Sequence, residues 1–441
     1  MNKPKLEKQR PRIIVVGGGA GGLELATRLG QKFGKRRQAE ITLIDCSRTH
    51  IWKPLLHEVA AGTLDSHDDD LEYLAQAHAK HFRFVLGRMD GLDRRQRQVH
   101  LAALLNHKGE EVMPARVHPY DILVIAVGSV CNDFGVPGVG EHCLFLDTTE
   151  QAEDFQNRFM ETYFHAHAQG GPKGPGEMDV GIVGGGATGI ELSAQLHQAT
   201  RLLSAYGLDK VKPSDIRIHV IEVSERLLPG LPEHLSRAIY AQLAKLGIQV
   251  HLDQRVIEVT ANGFQTHTGR FIPAATKVWA AGVKAPDFLK LITGLETNSI
   301  NQIVVRQTLQ THADDDVFGI GDCAACPWPE KNSAVPPRAQ SAHQQASLVF
   351  QNIRRKLQGK PLLDFRYRDY GSLVALGKYS TVGNLMSNLL GSVRIEGLIA
   401  RLVYLSLYKM HQIALFGPLR VGLLMIAEFF RRRLRPRIKL H

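Results

Sequence analysis

An apolar run that stops at a glycine occurs twice in this chain, and no other feature constrains the fold as much. Ile13–Val16 runs into Gly17, Gly19 and Gly22. Asp179–Val183 runs into Gly184, Gly186 and Gly189. Both sets follow G-x-G-x-x-G spacing, and a helical pattern follows each. Such a turn lets the backbone approach a pyrophosphate, which the helix N-terminus then attracts. One match is weak evidence, but two matches, each ending a strand, are much stronger. A chain with two such cradles is expected to move electrons from one dinucleotide to the other.

Each cradle is followed by a second strand that ends in an acid. Glu40–Asp45 ends in Asp45, about 20 residues past the first turn, where a carboxylate accepts hydrogen bonds from ribose hydroxyls. Asp215–Val223 carries Glu222 in the same role. A carboxylate there accepts from a free hydroxyl and repels a ribose phosphate, which favours NADH over NADPH; Arg226 nearby weakens that preference. The bland alternative is a glycine-rich turn without a ligand, and the acid and strand context argue against it. Two further strands end in glycine, Tyr120–Gly128 and Val278–Gly282, where backbone can come close to a cofactor. Gly282 marks a place for the nicotinamide end. Val317–Asp322 brings Gly321 and Asp322 to a strand tip, near a flavin's ribityl chain and phosphates.

The 441 residues imply two or three domains. The net charge of +11 raises the question of an anionic partner, and its placement answers it. Six cations crowd into Arg431–Lys439, behind an apolar stretch. Gly397–Met410 has Leu398, Leu402 and Leu405 at helical spacing, and Gln412–Phe430 is more apolar still. Gly417-Pro418 breaks that run, and Arg420 and Glu428 interrupt it. Helices lying in a membrane interface are therefore expected, with the arginine tail on anionic lipid rather than nucleic acid. A core helical hairpin or a dimer face are the alternatives. Five cysteines are too few for a disulfide framework and point to a reducing compartment. No signal peptide and no confident transmembrane helix are read.

Other stretches carry less. His50–Gly62 is either a helix start or a wall for a flavin ring. Asp68–Asp70 reads as a solvated loop, and Gly170–Gly176 as a flexible connection. Cys323 and Cys326 form a C-x-x-C pair without a second ligand pair, so no metal site is assigned. Disulfide reductases of similar layout need two cysteines just after the first unit, and only Cys46 is there.

The combination VVGGGAGG, DILVIAVG, VGGGATGIEL, VWAAGV and FGIGDCA resembles the two-dinucleotide-binding flavoprotein superfamily. The A-Q-x-A-x-Q-Q run at Ala339–Gln345 is similar to that of type II NADH:quinone oxidoreductases, and YLSLYKMHQIALFGPLR resembles their enterobacterial-type branch. The resemblance implies an α/β fold of two Rossmann-like dinucleotide-binding domains, the second inserted in the first, with a C-terminal helical membrane-interface segment. FAD-binding parts are expected at 1–147 and 300–383, an NADH-binding part at 148–299 and a membrane-anchoring part at 384–441. Gly17, Gly19, Gly22, Asp45 and Asp322 would hold FAD; Gly184, Gly186, Gly189 and Glu222 would hold NADH. Glu191 would lie near flavin and nicotinamide, and Gln340 and Gln344 would face a membrane quinone. The implied activity is NADH oxidation with two-electron quinone reduction, without proton pumping, feeding a respiratory chain. The implied place is the cytoplasmic face of a bacterial inner membrane, bound peripherally; a homodimer is left open. The competing enzyme is a sulfide:quinone oxidoreductase, kept in view by Cys131 and Cys323, and a third reading is an NADH sensor without turnover.

Overall fold

The computed structural model describes residues 10–66, 70–106, 108–174, 176–376, 380–387 and 391–434. Residues 68 and 69 of the expected acidic loop lie outside these, as do Arg435, Arg437 and Lys439 of the basic tail. In chain order, the elements that position the site begin with β1 (Arg12–Val16), α1 (Ala20–Leu29), β2 (Glu40–Asp45), α2 (Leu56–Ala60), β3 (Arg83–Leu86) and β4 (Ile122–Ile125). Next come α3 (Thr149–Ala168), β5 (Val180–Val183), α4 (Ala187–Ala205), β6 (Ile218–Ile221), α5 (Glu233–Lys245), β7 (Gln249–His251), β8 (Thr276–Trp279) and β9 (Val317–Gly319). The chain closes with α6 (Ala339–Lys356), β10 (Gly371–Leu376), β11 (Ser380–Ser387), β12 (Gly391–Glu396), α7 (Gly397–Phe416) and α8 (Pro418–Leu434).

Two compact units result. The first holds residues 10–50, 70–130 and 284–368 of the described chain. Its parallel sheet has the order β9-β4-β1-β2-β3. The sheet reverses direction of growth between β1 and β4, which is where an open α/β sheet leaves a crevice for a ligand. Ile13–Val16 of β1 and all of β4 are apolar because both faces are covered; Ile13, Val15, Leu123 and Val124, with Leu43 of β2, are fully buried. The helical pattern after the first glycine turn forms α1 and does not run on as a regular helix. It ends at Leu29 and continues as one wide turn over Gly30–Gly34. A Cβ at Gly30 or Gly34 would lie 2.3 Å from the Lys80 carbonyl oxygen or 2.0 Å from that of His81, so the glycines admit a neighbouring strand connection.

The second unit holds 51–66, 131–283 and 369–434 of the described chain. Its parallel sheet is β7-β6-β5-β8, with its own reversal between β5 and β8. Thr148 caps α3 in a reciprocal capping box with Gln151, satisfying two orphan donors. Phe155, Phe159 and Tyr163 of α3 line up at helical spacing in the core of this unit. The antiparallel ribbon β10-β11-β12 leads into α7.

The nested α/β organisation is as expected, but the divisions differ. They fall after residues 130, 283 and 368 instead of 147, 299 and 383, and residues 51–66 join the second unit. The reason is packing: α2 lies against α3 and α4, so its apolar face belongs to their core. No periodicity in the sequence announces that choice.

Candidate active site

The first cradle is built from backbone. Gly17 has φ +101°, and a Cβ there would lie 2.2 Å from the Ala126 carbonyl oxygen. A Cβ at Gly22 would lie 1.8 Å from the Gly17 carbonyl oxygen, so only glycine lets α1 start this close to β1. At Gly19 a side chain would meet open space, the position a pyrophosphate needs. The Gly17 amide donates to the Ile44 carbonyl at 2.8 Å, tying the turn to β2. Asp45 then grips the turn from the side: its carboxylate accepts from the Gly18 amide at 2.5 Å and the Ser47 amide at 2.7 Å. Burial pushes the Asp45 carboxyl up from its ordinary value, and those backbone donors pull it back.

The second cradle repeats these contacts. Gly184 has φ +114° and a Cβ would lie 2.7 Å from the Ala280 carbonyl oxygen. At Gly189 the corresponding distance to the Gly184 carbonyl oxygen is 2.1 Å, and Gly186 faces open space. The Gly184 amide donates to the Ile221 carbonyl at 2.8 Å. Glu222 accepts from the Gly185 amide at 2.6 Å and the Ser224 amide at 2.9 Å. Arg226 does not compete for a ribose phosphate. Its guanidinium donates to the Leu231 and Pro229 carbonyls at 2.7 and 2.6 Å, locked into its own loop. Gly18 and Gly185, between the spaced glycines, are constrained as well: a Cβ would strike Tyr73 in one case and Leu227 and Glu222 in the other. The spacing rule passes over them because it counts only the outer glycines.

Around the first cradle, Gly128 has φ +73° and Gly321 φ +74°. Ser129 donates to Asp322 at 2.8 Å, and Gln302 donates to the Asp322 carbonyl at 2.8 Å, so the aspartate is fixed by neighbours on both sides. The Gly321 amide donates to Gln345 at 2.6 Å. Gln345 is almost fully buried in α6 and anchors the Gly321-Asp322 turn, a role sequence reasoning did not give it. Gln340 and Gln344 are half-buried on the same helix. The Gln344 amide is bound at both ends to the backbone of Arg368, at 2.8 and 3.0 Å. In the second unit, Gly282 has φ +63° and packs under Phe134, which is mostly exposed.

Glu191 lies inside α4 and is buried, its Oε2 3.6 Å from Nδ1 of His57. The thiols are quiet. Burial raises Cys131, Cys143, Cys323 and Cys326 to about 12 each, so they stay protonated. Cys323 points at the Ile125 and Ile320 carbonyls and Cys326 at that of Pro327, so the C-x-x-C is a pair in sequence only. Among the described residues, no group of histidines, cysteines and acids could hold a metal ion.

Two glycine cradles, each closed by its own acid at the reversal point of a parallel sheet, define a two-dinucleotide-binding α/β protein. Residues 11–346 match the family model for pyridine nucleotide-disulphide oxidoreductases. A type II NADH:quinone oxidoreductase from Haemophilus influenzae is 42% identical, covering 97% of this chain and 99% of its own length. One from Staphylococcus aureus is 29% identical over 86% of this chain and 90% of its own. An NDH2 from Plasmodium falciparum, solved in complex with NADH, superposes with a TM-score of 0.80 at 18% identity, over 98% of this chain and all of that one. A sulfide:quinone oxidoreductase from Aquifex aeolicus reaches a TM-score of 0.72 at 19% identity, covering 92% of both chains; these last two likenesses concern the fold. The chain belongs to the pyridine nucleotide-disulphide oxidoreductase family and, within it, to the type II NADH:quinone oxidoreductases.

Proposed function

We propose that the protein oxidises NADH and passes two electrons to a membrane quinone through FAD, without moving protons across the membrane. The matched pair of cradles carries this reading. Each has an open middle glycine for a pyrophosphate and an acid for ribose hydroxyls, half-buried at Asp45 and buried at Glu222. The bound cofactors supply a hydride transfer from NADH to FAD and a two-electron reduction of quinone, for which one further proton comes from solvent.

The chain's residues bind, orient and exclude water. Gly17, Gly19, Gly22, Asp45, Gly128, Gly321 and Asp322 hold the flavin nucleotide. Gly184, Gly186, Gly189, Glu222 and Gly282 hold NADH, and a buried acid with Arg226 turned away favours it over NADPH. Glu191 serves the hydride step. Gln340 and Gln344 donate amide hydrogens to quinone oxygens; Nε2 of Gln344 keeps a second N–H that Arg368 does not take.

The quinone is reached from the membrane surface. Leu419, Leu423, Ile426 and Phe430 form one stripe along α8, from 60 to 80% exposed. Of the charges that interrupt this region, Glu428 of α8 pairs with Lys409 of α7 at 2.8 Å on the other side and Arg420 is exposed, while Val421 is buried. Among the described residues, no helix is long and apolar enough to cross a membrane. An apolar stripe followed by arginines fits a helix lying in the interface, its tail on anionic headgroups. Free thiols and the use of NADH support a reading in which it works at the cytoplasmic face of a bacterial inner membrane. The sulfide-driven alternative is disfavoured because Cys131 and Cys323 are held as thiols.

The test is spectroscopic. Freshly purified protein should be yellow, with about one FAD extracted per chain. NADH should bleach it, and a soluble quinone should restore the colour through many cycles. Protein without flavin, or flavin bleached by sulfide and not by NADH, overturns the proposal.

A further inference from the structure

Residues 51–66 come from the first half of the sequence, yet α2 packs inside the second unit against α3 and α4. The segment is pinned: Ser66 donates to Glu153 of α3, and Thr63 to Gln195 of α4 at 3.4 Å. Glu191 and Gln195 stand one helical turn apart, so both reach the same face of α4. Against Glu191 the segment places His57, whose side chain is only 2% exposed. Glu191 itself follows Gly189, the glycine that lets α4 start against the cradle.

His57 is an odd residue to bury here. Its ring bonds to the Pro54 carbonyl, and Nδ1 is also 3.6 Å from Glu191 Oε2. Its Nε2 is buried with no hydrogen-bond partner. An unsatisfied buried acceptor costs free energy that an apolar side chain of similar shape would avoid. Packing alone therefore does not explain a histidine. Burial lowers the ring to about 4, so it is neutral at physiological pH.

We infer that His57 is the positioning residue for Glu191: anchored on the Pro54 carbonyl and packed 3.6 Å from Oε2, the imidazole limits where the carboxylate can sit beside the second cradle. The inference rests on the reading that Glu191 serves hydride transfer. In that step the C4–H bond of NADH breaks, hydride leaves with both electrons for the flavin, and one positive charge appears on the nicotinamide. A carboxylate already fixed in place stabilises that charge without reorganising, which a mobile one cannot do. A cationic partner in place of the imidazole would offset the carboxylate; a neutral ring does not.

The experiment compares holoenzymes carrying H57L, H57Q, E191Q and the double variant H57L/E191Q with the wild type. It measures the rate at which NADH bleaches the flavin, the KM for NADH, and the long-wavelength charge-transfer band of reduced enzyme with NAD⁺. H57L should slow bleaching about tenfold (~1.4 kcal/mol) with KM changed less than about twofold, and should weaken the band. FAD content and thermal midpoint should stay near wild type. H57Q, which keeps a neutral side chain of similar reach that can still donate to the Pro54 carbonyl, should recover most of the rate. The double variant should be no slower than E191Q, since residues acting as one unit do not add. Should H57L fail to fold, H57N, too short to reach Glu191, carries the same comparison. Wild-type bleaching in H57L, or losses that multiply in the double variant, overturns the inference. Wild-type bleaching in E191Q removes the reading of Glu191 on which it rests, while NADH:quinone turnover by the wild type stands apart from both outcomes.

Discussion

Two acids, Asp45 and Glu222, do the same job with the same contacts, each accepting from the amide between the spaced glycines and from the amide two residues on. Removing one loosens a turn and, on the proposed function, a ribose contact with it. Glu222→Ala should reduce the kcat/KM preference for NADH over NADPH by about tenfold, roughly 1.4 kcal/mol, read from initial rates with either nucleotide; an unchanged ratio would move the ribose contact elsewhere. Gly22→Ala puts a Cβ against the Gly17 carbonyl oxygen. Overpacking of this kind costs about 2–3 kcal/mol and should empty the first cradle, measured as FAD per chain after gel filtration. Titration gives a third expectation. Burial holds His50, His57 and His251 near 4, below the 6.5 of an exposed imidazole. The unfolded chain then binds more protons than the folded one between those values. The stability these neutral histidines represent is complete above about pH 6.5 and is lost as pH falls toward 4. A urea midpoint that does not decrease between pH 7.5 and pH 5 would contradict this.

Among the elements, α8 has the most direct consequence. Its exposed stripe and the Lys409–Glu428 pair make one helix face apolar without leaving a charge in it. A chain ending at Gly417, where φ of +88° turns α7 into α8, should remain folded and yellow but no longer sediment with anionic vesicles. Retained sedimentation would place the membrane contact elsewhere. Strands and glycine turns were legible in the sequence because apolar runs of four or five residues end at the residues that must be glycine. Element ends were less so: Asp215–Val223 contains only a four-residue strand, Ile218–Ile221, after a turn at Pro213–Asp215. Gln345 and His57 were not assigned their roles at all. Each acts through a partner far along the chain, Gly321 and Glu191, and no local pattern records such a pairing.

For the molecule as a whole, the placement of charge bears on the proposed membrane contact. Six cations lie within Arg431–Lys439 in a chain of net charge +11. At about 1 kcal/mol for each basic residue at the surface, replacing Arg431, Arg432 and Arg433 by glutamine should weaken binding to anionic vesicles by about 3 kcal/mol and reduce its salt dependence. Binding that stays insensitive to both would argue for the apolar stripe alone. The nested order of units was legible because the second cradle interrupts the set of strands belonging to the first. The exact divisions were not, because packing alone assigns 51–66 to the second unit. One strand has a consequence for synthesis. β9 completes the first sheet by pairing Leu123 with Val317, yet it leaves the ribosome only after every strand of the second sheet has been made. The growing polypeptide must therefore carry an unfinished edge for nearly two hundred residues, so of the two parallel sheets the one begun first is completed last.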